Sequence, residues 1–261
     1  MTPVSSRSTS CGALRGGTSS RARPTLQEAA RRARYDALCA LAAELGAARI
    51  ATAHTLDDQV ETVLLRLLRG TGADGLAGIP ARSADGRIVR PLLGVPRADV
   101  EVWARTQGLA WREDPSNAST DYARNRLRRD WLPGLAEAFN PRLLRAIGDL
   151  AEAAGRDAEW IGEQVEREAG AIFAEIPQGL RLAAAPWRGL PDALARRLVR
   201  RALHQLGAAR DVRRRHLLRA VAFLREGRPG TRIELTGGIV LRRDRDAFVL
   251  ERAGVDPRGS C

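Results

Sequence analysis

Apolar residues in the first half of the chain alternate between helical and strand-like spacing. Three stretches place apolar residues three and four positions apart, which predicts helices over 26–45, from Thr55 onwards and over 96–107. The stripe of the second predicted helix is the clearest, and it consists of Val60, Val63, Leu64, Leu67 and Leu68. Short apolar runs between the helices predict strands at 49–54 and 88–93, and 109–112 is a candidate third. This alternation predicts an α/β fold with a parallel sheet.

The pattern changes after about residue 120. Residues 122–226 have an almost entirely helical pattern interrupted by prolines, and 231–251 predict a β-hairpin around Gly237-Gly238. Residues 1–23 are rich in Ser, Gly and Arg, and are typical of a disordered leader. We therefore expect three segments: a low-complexity leader (1–23), an α/β domain (24–130) and a helical domain ending in a hairpin (131–261).

All 43 basic residues are arginine, and the chain has no lysine. This composition excludes a Walker-A lysine and a Schiff-base lysine, so any phosphate must be held by backbone N–H groups, arginine or a metal. The formal net charge is +12. Fourteen arginines against three acidic residues lie in 181–232, which favours a nucleic-acid partner, with a merely soluble basic surface as the alternative.

Three scattered cysteines have neither disulfide-framework nor zinc-site spacing, which is typical of a reducing cytoplasm. No apolar run reaches the roughly 20 residues that span a membrane, and 1–23 has no apolar signal-peptide core. We expect a cytoplasmic protein without a membrane partner.

The most concentrated candidate chemistry follows the predicted strand 49–54. His54 ends that strand, and Thr55 with Asp58 matches a helix capping box. Asp58 and Glu61 are three residues apart, so they share one helix face. Two neighbouring carboxylates suit an ammonium group or a divalent cation, whereas capping alone would explain only the first-turn acids.

A second dense patch covers 111–117 and 122–129. Residues 114–117 are typical of a turn, and four arginines then stand at a predicted helix start, where they oppose the helix dipole. Phosphate binding would explain that arrangement, and a loop followed by an arginine-rich helix is the alternative.

These stretches resemble the bacterial tRNA(Ile)-lysidine synthetase family of PP-loop ATP pyrophosphatases. The resemblance is carried, in the family's order, by 28–35, 51–70, 75–80, 90–93, 111–117 and 124–128, and again by 230–238. It implies a Rossmann-like PP-loop domain (adenine nucleotide alpha hydrolase-like) followed by an all-helical tRNA-binding domain ending in a β-hairpin. It also implies that ATP, with Mg²⁺, adenylates the wobble cytidine of the tRNA(Ile) with a CAU anticodon, and that L-lysine then displaces AMP.

The resemblance also implies roles for individual residues. Asp58 and Glu61 correspond to lysine-binding carboxylates, and His54 and Arg126 to nucleotide-binding residues. The expected catalytic residues are His54, Asp58, Arg34 and Arg126, and no residue is assigned as a metal ligand. The roles of Arg112, Asp114, Asn117 and Asn125 are not separated by the resemblance. We expect tRNA to bind the arginines of the basic region, namely Arg196, Arg197, Arg200, Arg201, Arg213, Arg214 and Arg215.

One family feature is not found. The sequence contains no Ser-Gly-Gly-x-Asp-Ser loop, and 15–20 (RGGTSS) is only a partial counterpart. We therefore expect a truncated catalytic domain that lacks roughly its first third, is poorly stable in its N-terminal half, and forms no lysidine alone. The alternative is a non-catalytic tRNA-binding remnant. A PP-loop thiolase is disfavoured because Cys11, Cys39 and Cys261 lie outside the matching motifs.

Overall fold

The computed structural model describes residues 26–112, 123–208 and 212–253. By its internal contacts the chain divides into two units, Met1–Ala158 and Glu159–Cys261. None of the described helices is both long and apolar enough to cross a membrane.

The first unit begins with alternating helices and strands. Its elements are α1 (Leu26–Glu44), β1 (Ile50–Ala51), α2 (Leu56–Leu68), α3 (Ala73–Leu76), β2 (Ile88–Val89) and α4 (Arg97–Thr106). Strands β1 and β2 pair in parallel, with Ile50 opposite Ile88, which confirms the predicted parallel pairing. The candidate strand at 109–112 was wrong, because these residues form no regular structure. Within the described residues the sheet has two strands, each much shorter than its apolar run.

Helices complete the first unit. They are α5 (Ala123–Arg126), a π-helical turn (Leu127–Trp131), α6 (Leu132–Ala138) and α7 (Leu143–Ile172), the last of which continues into the second unit. Leu56 and Val60 of α2 pack in one buried cluster with Leu127 and Leu132. This cluster joins the helix after β1 to the arginine-rich segment that begins at Ala123.

The predicted apolar faces are buried only in part. Val60 and Val63 are 0% and 2% exposed, whereas Leu67 and Leu68 at the end of α2 are 55% and 74% exposed. Helical spacing identified the correct face of α2, but within the described residues the packing covers only its first turns.

The second unit corrects the expected all-helical domain. It contains β3 (Phe173–Ile176), β4 (Gly179–Ala183), α8 (Asp192–Gln205), α9 (Arg214–Glu226), β5 (Arg232–Leu235), β6 (Ile239–Arg243) and β7 (Ala247–Arg252). The strands form a five-stranded antiparallel sheet in the order β3-β4-β7-β6-β5. The predicted hairpin is confirmed as β5–β6, and a further turn starts β7, which pairs with β4.

Helices α8 and α9, with the end of α7, pack against the sheet to form this unit's core. Their buried residues Leu198, Leu203, Leu217 and Leu224 pack in one cluster with Trp187 and the inner side chains of the sheet. Because the apolar faces of both helices point inward, their arginines are left on the remaining faces.

Side chains of α2 also fix the loop that follows α3. The buried Gln59 donates to the carbonyls of Ala77 and Ile79 at 3.3 and 3.2 Å and accepts from the Ile79 N–H at 2.6 Å. Arg66 donates to the Gly78 carbonyl at 2.6 Å. Gly78 has φ +60°, and a Cβ there would lie 2.4 Å from the Gln59 Oε1. The loop therefore needs glycine for its backbone and for the approach of Gln59.

We predict that Gly78→Ala lowers the free energy of unfolding by about 2–3 kcal/mol, since positive φ and steric conflict with Gln59 add. Gly86→Ala is the matched control, because Gly86 has φ +69° but open space around its Cβ position. It should lose only about 1 kcal/mol. Urea unfolding measures both, and equal losses would contradict the proposed conflict with Gln59.

Candidate functional site

The candidate site lies between the end of β1 and the first turns of α2. The cap of α2 fixes the backbone at this place. The Thr55 N–H and hydroxyl both donate to Asp58 Oδ2, at 2.9 and 3.2 Å. Asp57 Oδ2 accepts from the Arg97 N–H at 2.8 Å, which ties α2 to the start of α4. The expected cap is therefore confirmed, and one oxygen of each first-turn carboxylate already has a protein donor.

His54 is partly buried beside this cap. Its Nδ1 lies 2.9 Å from the Thr52 hydroxyl. Burial lowers the pKa of His54 below its ordinary value; Asp58 opposes this, and the charges of Arg90, Arg31 and Arg124 add to it. The lowered pKa favours the neutral form of the ring at pH 7.

Glu61 is the most buried ionisable group described here, with 0% of its side chain exposed. Arg128 Nε donates to its Oε1 at 2.5 Å, and Arg124 Nε forms an ion pair with its Oε2 at 2.9 Å. Arg124 Nη2 also donates to the Thr62 hydroxyl at 2.8 Å, which in turn donates to the Asp58 carbonyl. Burial raises the pKa of Glu61, and the hydrogen bond and charge of Arg128 and the charge of Arg124 counteract that rise.

The structure brings together only part of the predicted site. His54, Asp58 and Glu61 lie together at the end of β1, and Arg124 and Arg128 join them. Arg34 on α1 and Arg126 on α5 are exposed, and neither makes a recorded hydrogen bond or ion pair with these three residues in the described part of the chain.

Other residues of the second patch are placed only in part. Arg112 is exposed and Asn125 lies on α5, whereas Asp114 and Asn117 fall outside the described residues. The roles of Arg124 and Arg128 were missed, although the unusual run of arginines at a helix start was a signal for them.

The predicted tRNA-binding arginines fall into two groups. Arg196 and Arg201 have acidic neighbours, Asp192 at 3.8 Å and Glu166 at 2.8 Å. Arg197 donates to the carbonyl of Ala193, one turn earlier on α8. The others are exposed: Arg200 on α8, and Arg213, Arg214 and Arg215 at the start of α9. These four are the better placed for an external polyanion.

Two family models match the chain. A PP-loop domain matches residues 8–135, and a TilS substrate binding domain matches residues 182–247. The candidate site lies in the first match, and nearly all of the basic region 181–232 lies in the second. Because the PP-loop match begins at residue 8 and residues 1–25 are not described, the expected truncation of this domain is not confirmed.

Curated relatives carry a single name. A tRNA(Ile)-lysidine synthase of Ralstonia nicotianae is 43% identical over 236 residues, covering 88% of this chain and 48% of the relative. Those of Dehalococcoides mccartyi and Thermus thermophilus are 36% and 41% identical, covering 87% and 84% of this chain but 49% and 40% of the relatives. The chain thus spans about half the length of these relatives. Together the matches support membership of the tRNA(Ile)-lysidine synthase family.

We predict that His54 titrates with a midpoint below 6.5 because burial and three arginines disfavour its proton. The unfolded chain then takes up this proton first as the pH falls, so the His54 contribution to stability is present above about pH 6.5 and is lost below it. NMR of the histidine Cε1–H signals measures the midpoint, with signals assigned by substituting each of the three histidines. A midpoint at or above 6.5 would contradict the described environment.

Proposed function

We propose that this protein, as a member of the tRNA(Ile)-lysidine synthase family, takes part in the ATP-dependent joining of L-lysine to the wobble cytidine of the tRNA(Ile) with a CAU anticodon. The observation that carries this proposal is the convergence of His54, Asp58 and Glu61 with Arg124 and Arg128. Carboxylates suit the ammonium group of lysine, and guanidinium groups suit phosphate. A cytoplasmic location is part of the same proposal.

In this reaction the cytidine attacks the α-phosphorus of ATP and pyrophosphate leaves. The ε-amine of lysine then attacks ring carbon-2, AMP leaves, and the amine gives up a proton. We assign Asp58 to the lysine ammonium, and His54, Arg34 and Arg126 to the nucleotide. Glu61, the other expected lysine-binding carboxylate, is paired with Arg124 and Arg128. A neutral His54 can accept a proton or donate a hydrogen bond, which suits a position beside the reacting groups.

None of the reaction steps proposed above is assigned to Mg²⁺. The described residues contain no group of three His, Cys, Asp or Glu side chains that could hold a metal ion. Asp57 and Asp58 each already accept a backbone hydrogen bond. Mg²⁺ use stays an expectation from the resemblance.

The tRNA backbone is assigned to the exposed arginines of the second unit, which lie on or beside the helices that the substrate-binding match covers. Arg200 and Arg213–Arg215 lie on the faces of α8 and α9 that the core leaves uncovered. Each arginine that contacts a phosphate displaces counterions, so binding should weaken steeply with salt.

A non-catalytic tRNA-binding protein of the same family is the second candidate. It is favoured by the lack of a Ser-Gly-Gly-x-Asp-Ser sequence in these 261 residues. It is also favoured by the ion pairs that the Glu61 carboxylate already forms with two arginines. The two candidates share tRNA binding and differ in turnover.

We predict that the 261-residue chain binds a tRNA(Ile) transcript and incorporates radiolabelled lysine far more slowly than the Thermus thermophilus relative, assayed in parallel. Filter binding and acid-precipitable label measure the two activities, with a CAU-to-GAU anticodon transcript as control. Incorporation that requires ATP and the CAU anticodon supports the synthase. Binding without any incorporation selects the non-catalytic protein, and failure to bind tRNA overturns both.

We further predict that Arg214→Gln/Arg215→Gln reduces the slope of log affinity against log salt concentration by about 1.5, roughly 0.7–0.9 per lost phosphate contact. The matched control is Arg142→Gln/Arg145→Gln, which removes the same charge from exposed positions in the first unit. An equal change in both variants would show that total charge, and not this surface, determines binding.

A further inference from the structure

The geometry around Glu61 assigns to this residue a role other than ligand contact. A carboxylate with no exposed surface has one oxygen beside the Nε of Arg124 and the other beside the Nε of Arg128. An incoming ammonium group would have to reach a carboxylate that has no exposed surface and is already paired with two guanidinium groups, although only Oε1 accepts a hydrogen bond from them. Separating one member of a buried ion pair is costly because the remaining charge stays desolvated.

Both arginines turn their Nε atoms to Glu61, and their side chains remain partly exposed. Their side chains are 40% and 30% exposed, although the carboxylate between them is fully buried. The Nη2 of Arg124 is held by Thr62, and no hydrogen bond from the Nη atoms of Arg128 to another described residue is recorded. One buried carboxylate thus pairs with two partly exposed guanidinium groups.

The helix that carries them explains why they meet at one carboxylate. Arg124 and Arg128 are four residues apart, so they lie on the same side of their helix. Arg128 stands in the π-helical turn Leu127–Trp131, and such wide turns often occur at functional sites. Two guanidinium groups and one carboxylate together carry a net positive charge. The charge of Arg124 also lowers the pKa of His54.

We infer that Glu61 is a positioning residue that holds Arg124 and Arg128 as a paired site for phosphate oxygens. Guanidinium groups with fixed planes suit two oxygens of one phosphate or of neighbouring phosphates. The inference rests on the proposed function only for the source of that phosphate, which is either ATP or the tRNA backbone. It replaces direct contact between Glu61 and the lysine ammonium.

Glu61→Gln separates the two roles by the sign of its effect. The substitution removes a negative charge, so electrostatics alone would strengthen the binding of an anion. A positioning role predicts the opposite: the amide loosens both arginines, and affinity falls about tenfold despite the lost repulsion. If Glu61 instead contacted lysine, lysine binding would be lost while anion binding stayed equal or became tighter.

The experiment uses the full chain with three probes, inorganic triphosphate, ATP and the tRNA(Ile) transcript, measured by calorimetry and filter binding. Arg124→Gln, Arg128→Gln and Glu61→Gln should each weaken at least one probe about tenfold, and Glu61→Asp should recover part of the loss. Arg145→Gln is the charge-matched control and should change triphosphate affinity less than twofold. A loss for ATP alone or for tRNA alone identifies the source of the phosphate.

Thermal unfolding of each variant separates loss of the site from loss of the fold. If Glu61→Gln does not fold, the two arginine variants, whose side chains are partly exposed, carry the test. Unchanged or tighter binding of all three probes in every folded variant overturns the inference. Triphosphate binding that depends on the pair, without tRNA binding, supports the inference and overturns the proposed function.

Discussion

A fully buried carboxylate needs positive partners, and Glu61 determines much of the arrangement of the first unit for that reason. Its place on α2 is fixed by the apolar stripe around Val60 and Val63, which leaves the carboxylate away from water. Arg124 and Arg128 are then held against α2 by its charge, and Leu127 between them packs on Leu56 and Val60. Apolar packing and ion pairing therefore act on the same short segment, and removal of either would weaken the other.

Local signals in the sequence were sufficient to predict the elements that are stabilised by residues close to one another in the chain. The Thr55–Asp58 cap, the buried first turns of α2 and the β5–β6 hairpin all depend on contacts between near neighbours. Strands β3 and β4 were missed because β3 directly continues a 30-residue helix and offers no break in the pattern. Strand β4 is stabilised by β7, whose residues lie some 70 positions later, and no local spacing reports such a partner.

The candidate site was likewise predictable from the sequence only where its residues are close together in the chain. His54, Asp58 and Glu61 lie within eight positions, so a strand end followed by a helix was enough to place them together. The partners of Glu61 were not predictable, because Arg128 is separated from it by 67 positions. The sequence around each of these residues is also compatible with a helix whose charged face is in water. The only signal in the sequence was the run of arginines at a helix start, where they oppose the helix dipole. The structure explains this run by the Glu61 carboxylate on α2, which pairs with two of these arginines. The roles expected for Arg34 and Arg126 stay predictions, because the described contacts do not connect these exposed residues to the others.

The absence of lysine bears on this arrangement. A guanidinium group can use its Nε edge for a buried carboxylate and still present its Nη atoms to a ligand, whereas an ammonium group is a single point of charge. Arg124 shows that separate edges of one guanidinium group can have separate partners, since its Nε faces Glu61 and its Nη2 donates to Thr62. In a chain whose cations are all arginine, a buried acid can therefore hold a cation in place without consuming its capacity to bind. The second unit differs, because α8 and α9 expose arginines over an apolar core. Among the described residues, no carboxylate or hydroxyl is seen to hold the guanidinium group of Arg200 or Arg214 in one plane. A constrained pair suits one defined phosphate, and an unconstrained surface suits the many positions of an RNA backbone.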